Sequence, residues 1–258
     1  FFFRIYPSDE LEGHTAGRFL YERLGQTRVL LFAGDTEYTR GIEPEFLKQY
    51  QEALGGTVVD RIELENEGWQ QRAAAVLTGD GVTAVYAIGY AEEILEVLRF
   101  LRDNRYEGRV VTTSAFYSTR VIREAGEAAE GVLLPLPPFD RTSEKEPVLS
   151  FVNRYMDTYQ RAPDVFAAHG YDAMWVSILA MTIAKPPEIS EIYKALHYGV
   201  TDYMGVTGPI LFDDYGDVKH YPKMFIVKDG QVLSFQRHLE TERKRIVNQV
   251  QDLLSSGG

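Results

Sequence analysis

Three short apolar runs, each followed by a helical pattern, dominate the first half of the chain. Residues 28–34 and 84–89 are almost continuously hydrophobic, and residues 109–113 are β-branched after Arg109, which is typical of strands buried on both faces. Between them, apolar residues recur at the three- and four-residue spacing of amphipathic helices. This alternation of strands and helices predicts an α/β fold with a doubly wound parallel sheet.

Weaker patterns complete this first half. Residues 57–64 alternate between apolar and polar positions, as an edge strand does, and a turn follows at 79–81. A further strand at 131–138 contains prolines, which mark the end of the parallel pattern. The predicted helices cover 42–54, 69–77, 91–103 and 118–125, after a first helix that follows Asp9 and ends at Gly25.

After Pro138 the alternation of strands and helices stops, and the sequence pattern predicts mostly helices. The break at 136–140 is therefore the best candidate for a domain boundary. The predicted elements beyond it are helices at 145–160, 164–184, 188–198 and 238–254 and short strands at 208–212 and 222–228. Within the second of these helices, core packing is the favoured role for the run 171–175.

Composition narrows the classes of function. The 258 residues include 27 Lys and Arg against 38 Asp and Glu, a net charge of −11, which argues against a nucleic-acid partner. Cysteine is absent, so disulfides and thiolate chemistry are excluded. The chain starts with three phenylalanines and lacks a signal peptide at that end, and we expect it to begin inside a longer protein.

Catalytic and cofactor motifs are missing from the sequence. It contains no G-x-S-x-G, no Walker A run and no G-x-G-x-x-G, so we predict neither an enzyme nor a bound cofactor. The five histidines are dispersed, which predicts no metal site, and residues 213–217 are better explained as a tight turn than as a calcium loop. In contrast, the loops after the strands at 28–34, 84–89 and 109–113 should converge, because ligands bind beyond the carboxyl ends of parallel strands.

Several ordered segments are similar to those of one known family. They are Phe3-Arg4-x-x-Pro7-Ser8-Asp9, the Tyr38 loop, Ala129-Glu130-Gly131-Val132, Phe151-x-x-x-Tyr155-x-x-x-Tyr159, Tyr171-Asp172-Ala173, and Gly205-x-x-Gly208-x-x-x-Phe212-Asp213-x-x-Gly216-Asp217. In this order and spacing, from residue 3 to about 233, the chain resembles the type I periplasmic solute-binding proteins. The resemblance is to the branched-chain amino-acid and amide-binding group of ABC importers.

The resemblance implies two lobes joined by three crossing segments, with a ligand clamped between the lobes. Residues 1–8 then form the first crossing, and 9–135 the second lobe, which is the doubly wound parallel α/β lobe. Residues 136–140 are the second crossing, and 141–212 form an incomplete, helix-rich first lobe. Residues 213–236 hold the third crossing and the return to the second lobe, and 237–258 are a helical tail. The opening βα units of the first lobe, with loops that usually hold a ligand carboxylate, are missing.

The resemblance also identifies candidate ligand-binding residues in the three converging loops. They are Tyr38, Gly89, Tyr90, Ser114, Ala115 and Phe116. Tyr38 matches a ligand-contacting tyrosine of the family and supplies an aromatic wall with one hydroxyl. Tyr90 opens a helix, where free backbone N–H groups favour an anionic or carbonyl oxygen. Phe116 offers a surface for stacking an aromatic or amide ligand.

Ser114 departs from the family pattern. Amino-acid binders of the family commonly carry a carboxylate here, which pairs with the ligand ammonium. A hydroxyl cannot neutralise a buried cation. Either the ligand is not a plain α-amino acid, or Glu37, Glu92 or Glu93 supplies the missing charge.

These observations favour an extracytoplasmic, periplasmic receptor. It would clamp a small amino-acid-like, amide or aromatic ligand and present it to the permease of an ABC importer. The alternative is a non-transport sensor or protein-interaction module on the same scaffold. The helix at 238–254, which extends past the resemblance, keeps that alternative open.

Overall fold

The chain divides into two compact units. The computed structural model describes residues 2–79, 81–201 and 203–256, so Phe1, the middle of the predicted turn at 79–81 and the last two residues of the predicted tail lie outside the described residues. One unit consists of Phe1–Ser8 and Pro137–Pro222, and the other of Asp9–Leu136 and Lys223–Gly258. We call the first the small unit and the second the sheet unit. The role of 1–8, 136–140 and 213–236 as crossings stays a prediction.

The sheet unit contains a seven-stranded sheet. Its strands are β1 (Arg28–Ala33), β2 (Thr57–Glu63), β3 (Ala84–Ile88), β4 (Arg109–Thr112), β5 (Leu133–Leu136), β8 (Lys223–Lys228) and β9 (Gln231–Ser234). They lie in the order β2-β1-β3-β4-β5-β8-β9. Its helices are α1 (Asp9–Arg18), α2 (Glu37–Leu47), α3 (Trp69–Thr78), α4 (Ala91–Asp103), α5 (Thr119–Ala125) and α9 (Phe235–Ser256). The α/β class predicted from the sequence is therefore confirmed.

Strand pairing agrees with the hydrophobic pattern. Strands β2, β1, β3, β4 and β5 are parallel, and the alternating strand β2 lies at the sheet edge. The proline-containing β5 pairs with antiparallel β8 on its other side, so the sheet is mixed rather than wholly parallel. Parallel β3 lies between β1 and β4, which brings the carboxyl ends of these three strands to the same edge.

Alternate residues of β1 pack on opposite faces of the sheet. Val29 and Leu31 join the core cluster that includes residues of α1 and α2. Leu30 and Phe32 join the cluster that includes residues of α3 and α4. Since both faces are covered, the strand has no polar alternation, and this explains the continuous apolar run in the sequence.

The small unit is mostly helical. It contains α6 (Val148–Tyr159), α7 (Val165–Ile183), α8 (Ile189–Lys194) and a two-stranded antiparallel sheet of β6 (Tyr203–Gly205) and β7 (Gly208–Ile210). The β6 strand was not predicted, and β7 lies within the strand predicted at 208–212. One core cluster joins Ile5 to buried residues of α7 and β7, and a second forms around Phe151.

The interpretation of 171–175 as a core run is wrong for most of its residues. Asp172 is fully buried, but Met174 and Trp175 are 61% and 45% exposed. The helix buries Val176 and Ala180 at four-residue spacing from Asp172, so the two large side chains point away from this stripe. An aspartate thus occupies the buried position that the sequence suggested for the apolar side chains.

Residues 213–217 form the tight turn that the sequence indicated. Asp213 Oδ1 accepts hydrogen bonds of 2.9 Å from the backbone N–H groups of Tyr215 and Asp217. Gly216 has a φ of +90°, and a β-carbon there would collide with the carbonyl oxygen of Phe2. Among the described residues, no group of three or more His, Cys, Asp or Glu is arranged to hold a metal ion.

The last helix, α9, is long and mostly exposed. Its first residue, Phe235, contacts Phe19 edge to face with ring centroids 4.9 Å apart. Beyond it, Ile246, Val250 and Leu253 are 49–72% exposed. In the described part of the chain, neither this helix nor another has the length and apolarity needed to cross a bilayer.

Candidate ligand-binding site

Three of the predicted site residues lie together at the carboxyl edge of the sheet. Tyr38 follows β1, Tyr90 follows β3 and Ser114 follows β4. The rings of Tyr38 and Tyr90 stack at a centroid distance of 5.3 Å with 20° between their planes. The Tyr38 hydroxyl lies 3.4 Å from Ser114 Oγ. We call these three residues the strand-end cluster.

Tyr38 lies in the first turn of α2, not in a loop before a helix that starts at 42. The helix begins earlier because Thr36 caps it, accepting a hydrogen bond of 3.1 Å from the backbone N–H of Thr39. This cap starts the helix within four residues of β1 and holds the Tyr38 ring close to the sheet edge. Tyr90 is the residue before α4, as the sequence predicted.

Gly89 contributes backbone rather than side-chain surface. Its carbonyl oxygen accepts a hydrogen bond of 3.0 Å from Thr113 Oγ1, which ties the end of β3 to the end of β4. A β-carbon at Gly89 would lie 2.7 Å from Glu93 Oε2, so the absence of a side chain makes room for this carboxylate. Gly89 is buried, and its direct contact with a ligand stays a prediction.

We expected free backbone N–H groups at the start of the helix that Tyr90 opens, and the N–H of Tyr90 itself is not one of them. This N–H donates a hydrogen bond of 2.6 Å to Glu93 Oε2, the standard reciprocal bond of a helix N-terminus. At the end of β1, the Asp35 N–H likewise donates to Glu65 Oε1. Two carboxylates of the chain thus occupy backbone donors that an anionic ligand would need.

Glu12, which the sequence analysis did not select, is the buried acid of this site. It lies on α1, is 4% exposed, and accepts hydrogen bonds of 3.1 Å from the Tyr38 hydroxyl and from the Ser114 N–H, both on Oε2. Burial raises the pKa of Glu12 to about 7, although hydrogen bonds from Ser114 oppose the shift. The sequence spacing could have predicted this burial. Glu12 is four residues before Ala16 and eight before Leu20, on the buried face of the helix.

Phe116 is not available for stacking a ligand. It is fully buried in the core cluster that includes residues of α4, α5 and β5. Residues Ser114–Phe116 form one 3-10 turn, which directs the phenylalanine into the core while Ser114 and Ala115 stay partly exposed. Contact of Ala115 with a ligand stays a prediction.

No hydrogen bond with Ser114 is found in the described residues for Glu37, Glu92 or Glu93, the three glutamates proposed to replace a carboxylate at that position. Glu92 is exposed and pairs with Arg120 at 2.9 Å, and Glu93 bonds the Tyr90 N–H. Glu37 is exposed at the start of α2. Among the described residues, Glu12 is the acid whose oxygen contacts Ser114 directly.

The site is therefore an aromatic wall beside a set of hydrogen-bond acceptors. The stacked tyrosines supply flat apolar area, and Glu12, Glu65 and Glu93 supply negative charge or acceptor oxygens around it. Such an arrangement suits reversible binding of a small molecule with an apolar part and donor groups.

An α/β unit with aromatic and polar side chains at the carboxyl ends of parallel strands is typical of a ligand-binding domain. The chain belongs to the periplasmic binding protein family, whose model matches residues 1–231. Family membership confirms the resemblance inferred from the ordered motifs. The family is one of binding proteins and not of enzymes.

Relatives and solved structures give the same family. The chain is 27% identical over 222 residues to the leucine-, isoleucine-, valine-, threonine- and alanine-binding protein of Pseudomonas aeruginosa. A leucine-binding protein of Thermotoga maritima superposes with a TM-score of 0.76 at 27% identity, covering 88% of this chain and 64% of that one. A putative branched-chain amino-acid ABC transporter protein of Rhodospirillum rubrum superposes with a TM-score of 0.78 at 27% identity, covering 90% of this chain and 67% of that one.

The match does not extend over the whole of these relatives. It covers 85% of this chain but 58% of the Pseudomonas protein. The chain thus spans less than three fifths of the length of that relative.

Proposed function

We propose that this chain is the ligand-clamping part of an extracytoplasmic solute-binding receptor. The receptor binds a small amino-acid-like solute and presents it to the permease of an ABC importer. The strand-end cluster of Tyr38, Tyr90 and Ser114 is the ligand surface contributed by the sheet unit.

The observation that carries this proposal is the contact of Tyr38 with both Tyr90 and Ser114. These residues follow three separate strands, yet the tyrosine rings stack at 5.3 Å and the hydroxyls of Tyr38 and Ser114 lie 3.4 Å apart. Tyr90 is 51% exposed, and its ring stacks on Tyr38, so flat apolar area of this ring stays open to a solute. A solute that packs on this ring would cover it.

Family membership and the names of the relatives support the class of solute. The similar Pseudomonas protein is described as binding leucine, isoleucine, valine, threonine and alanine. The similar Thermotoga protein is described as leucine binding. From these names we take aliphatic amino acids as the first ligands to test, together with amides and aromatic acids.

A binding screen tests the proposal. The protein, as its gene encodes it, is titrated calorimetrically and by thermal shift with the amino acids, short amides and aromatic acids. A ligand at about 100 times its dissociation constant should add about 2.7 kcal/mol to the free energy of unfolding. Tyr90→Ala should weaken the same ligand, whereas Tyr215→Ala, at an exposed tyrosine of the small unit, should not.

A protein that binds no member of this panel contradicts the proposal. Cell fractionation tests the location, and a protein found only in the cytoplasm contradicts the extracytoplasmic role. Co-purification with a membrane permease in the presence of ligand tests the transport partner.

The exposed apolar side chains of α9 favour a second candidate, a protein-interaction module. Val247, Val250 and Leu254 are 45–77% exposed on a helix that lies beyond the family match at 231. A blank ligand screen, together with self-association that disappears on removing residues 239–258, favours this candidate over a solute receptor.

A further inference from the structure

Glu12 is a buried carboxylate without a cationic partner. It is 4% exposed, and the hydrogen bonds that it accepts come from neutral donors, the Tyr38 hydroxyl and the N–H and hydroxyl of Ser114. In the part of the sheet unit that the structure describes, the ion pairs involve other acids, and Glu12 forms none. A charge taken out of water in this way is costly unless a cation is supplied from elsewhere.

The carboxylate lies beneath the surface that a ligand would meet. Tyr38 and Ser114 are both partly exposed, whereas Glu12 behind them is almost fully covered. A ligand at the strand-end cluster therefore meets the two hydroxyls first. The charge of Glu12 is one hydrogen bond behind them.

An ionised Glu12 determines how these hydroxyls point. A carboxylate only accepts hydrogen bonds, so the Tyr38 hydroxyl donates to Glu12 Oε2 at 3.1 Å, and the Ser114 hydroxyl also donates to this carboxylate. Each hydroxyl then has only lone pairs left for the ligand. Two neutral groups, each able to donate or to accept, become a pair of acceptors.

The neighbouring strand ends reinforce this polarity. Backbone donors that would attract a ligand oxygen are occupied, the Tyr90 N–H by Glu93 and the Asp35 N–H by Glu65. At these two positions the backbone donor is thus taken by a carboxylate, which places acceptor oxygens and negative charge beside the cluster.

We propose that Glu12 is a positioning residue that turns the Tyr38 and Ser114 hydroxyls into acceptors for a positively charged N–H donor of the ligand, such as a primary ammonium. This inference rests on the proposed function and adds the chemistry of the ligand group that faces the sheet unit. Glu12 supplies the charge that Ser114 lacks, acting through the serine hydroxyl.

The proposal makes ligand affinity depend on pH. The groups that act on Glu12 are Tyr38 from α2, Ser114 after β4, Asp9 on α1 and Tyr86 of β3, and none of them is basic. With a pKa of about 7, about one tenth of Glu12 is ionised at pH 6 and about nine tenths at pH 8. Affinity for an ammonium ligand should therefore be about tenfold weaker at pH 6 than at pH 8.

Comparing two ligands with the same carbon skeleton isolates the contribution of the ammonium group to the binding affinity. L-Leucine carries an ammonium and a carboxylate, and 4-methylpentanoate carries only the carboxylate. Both are titrated calorimetrically into the wild type, Glu12→Gln and Glu10→Gln at pH 6 and pH 8. Glu10 is an exposed acid on the same helix and serves as the matched control.

We expect Glu12→Gln to lose leucine affinity by tenfold or more at pH 8 and to lose its pH dependence, with 4-methylpentanoate binding unchanged or improved. Glu10→Gln should behave as the wild type. Circular dichroism and melting at pH 5, where wild-type Glu12 is protonated and resembles glutamine, establish that the variant is folded.

Three results would overturn the inference. The first is a leucine affinity that Glu12→Gln leaves unchanged. The second is an equal loss of affinity for leucine and for 4-methylpentanoate, which indicates a merely structural role of Glu12. The third is a pH dependence that persists in the variant. A wild type that binds neither acid nor any other amino acid contradicts the proposed function as well, so the two failures are distinguishable.

Discussion

Thr207 donates a hydrogen bond of 2.6 Å from its hydroxyl to Oδ2 of Asp172, 35 residues earlier in the chain. The same carboxylate accepts from the backbone N–H groups of Val206 and Thr207 at 2.9 and 2.8 Å. Asp172 is fully buried in α7, and the turn that it holds joins β6 to β7. One charged side chain therefore satisfies three buried donors and attaches the small hairpin to the longest helix of the small unit.

Replacing Asp172 by alanine should destabilise the small unit. The Val206 and Thr207 N–H groups would be left buried without acceptors, at a cost of about 3 kcal/mol or more. Chemical denaturation followed by circular dichroism measures this cost. Asp157→Ala, at an exposed position on α6, is the control and should change stability by less than about 0.5 kcal/mol. Equal stability of the two variants would contradict the assignment.

Replacing each of two helical glycines by alanine should change the free energy of unfolding in opposite directions. A β-carbon at Gly13 in α1 would lie 2.9 Å from the backbone N of Phe46 and still closer to the Ile42 carbonyl oxygen, so Gly13→Ala forces α1 and α2 apart. We expect a loss of about 3 kcal/mol. Gly170 in α7 is exposed and has open space around it, so Gly170→Ala should stabilise by roughly 0.5–1 kcal/mol. Denaturant midpoints measure both, and a stable Gly13→Ala protein would show that α1 and α2 are not closely packed.

The buried acid should make stability depend on pH in a specific direction. Burial raises the pKa of Glu12 from 4.5 in the unfolded chain to about 7 in the fold, so the native state binds this proton more tightly. The stabilisation is complete below pH 4.5 and is lost as the pH rises through 7, in total about 3 kcal/mol.

Other groups also titrate, so the informative quantity is the difference between Glu12→Gln and the wild type. Without ligand, this difference should be near zero at pH 4.5 and about 3 kcal/mol in favour of the glutamine variant above pH 8. Urea unfolding at several pH values measures it. A difference independent of pH would mean that Glu12 titrates alike in both states.

The exposed half of the tyrosine pair should matter for ligand binding more than for folding. Tyr90 is 51% exposed and stacks on Tyr38, so Tyr90→Ala removes the ring that we propose meets the ligand, with little loss of core packing. We expect about tenfold weaker binding of the ligand found by the screen. Tyr90→Phe keeps the ring and should bind within about twofold of the wild type. Equal losses in both variants would assign the effect to the hydroxyl.

Removing residues 239–258 should leave the sheet unit folded. Phe235 packs on Phe19, but the side chains of α9 beyond His238 are mostly exposed. We expect the truncation to cost less than about 1 kcal/mol, whereas Phe235→Ala should cost about 2 kcal/mol through the lost ring contact. Thermal melts compare the two. A truncation that costs more than Phe235→Ala would show that the exposed part of α9 supports the sheet unit.

The strands and helices of the sheet unit could be predicted from residue order alone. Buried parallel strands have an unbroken apolar run because both faces are covered, as in residues 29–33 of β1 and in Ala84–Ile88. The carboxyl ends of such strands lie at one edge, and this rule together with the family resemblance identified Tyr38, Tyr90 and Ser114 as candidates before their contacts were known. These features depend on local spacing, which the sequence carries directly.

Contacts between distant parts of the chain were decided only by the tertiary structure. The role of Glu12 depends on residues 26 and 102 positions later, and Phe116 is buried because the turn after β4 directs it into the core. The free N–H expected at Tyr90 is occupied by Glu93, a rotamer choice that spacing does not reveal. The sequence by itself determined the class of fold and the strand ends at which the candidate site lies. Which side chains are buried, paired or accessible there follows from packing, because burial and hydrogen bonding are properties of the assembled structure.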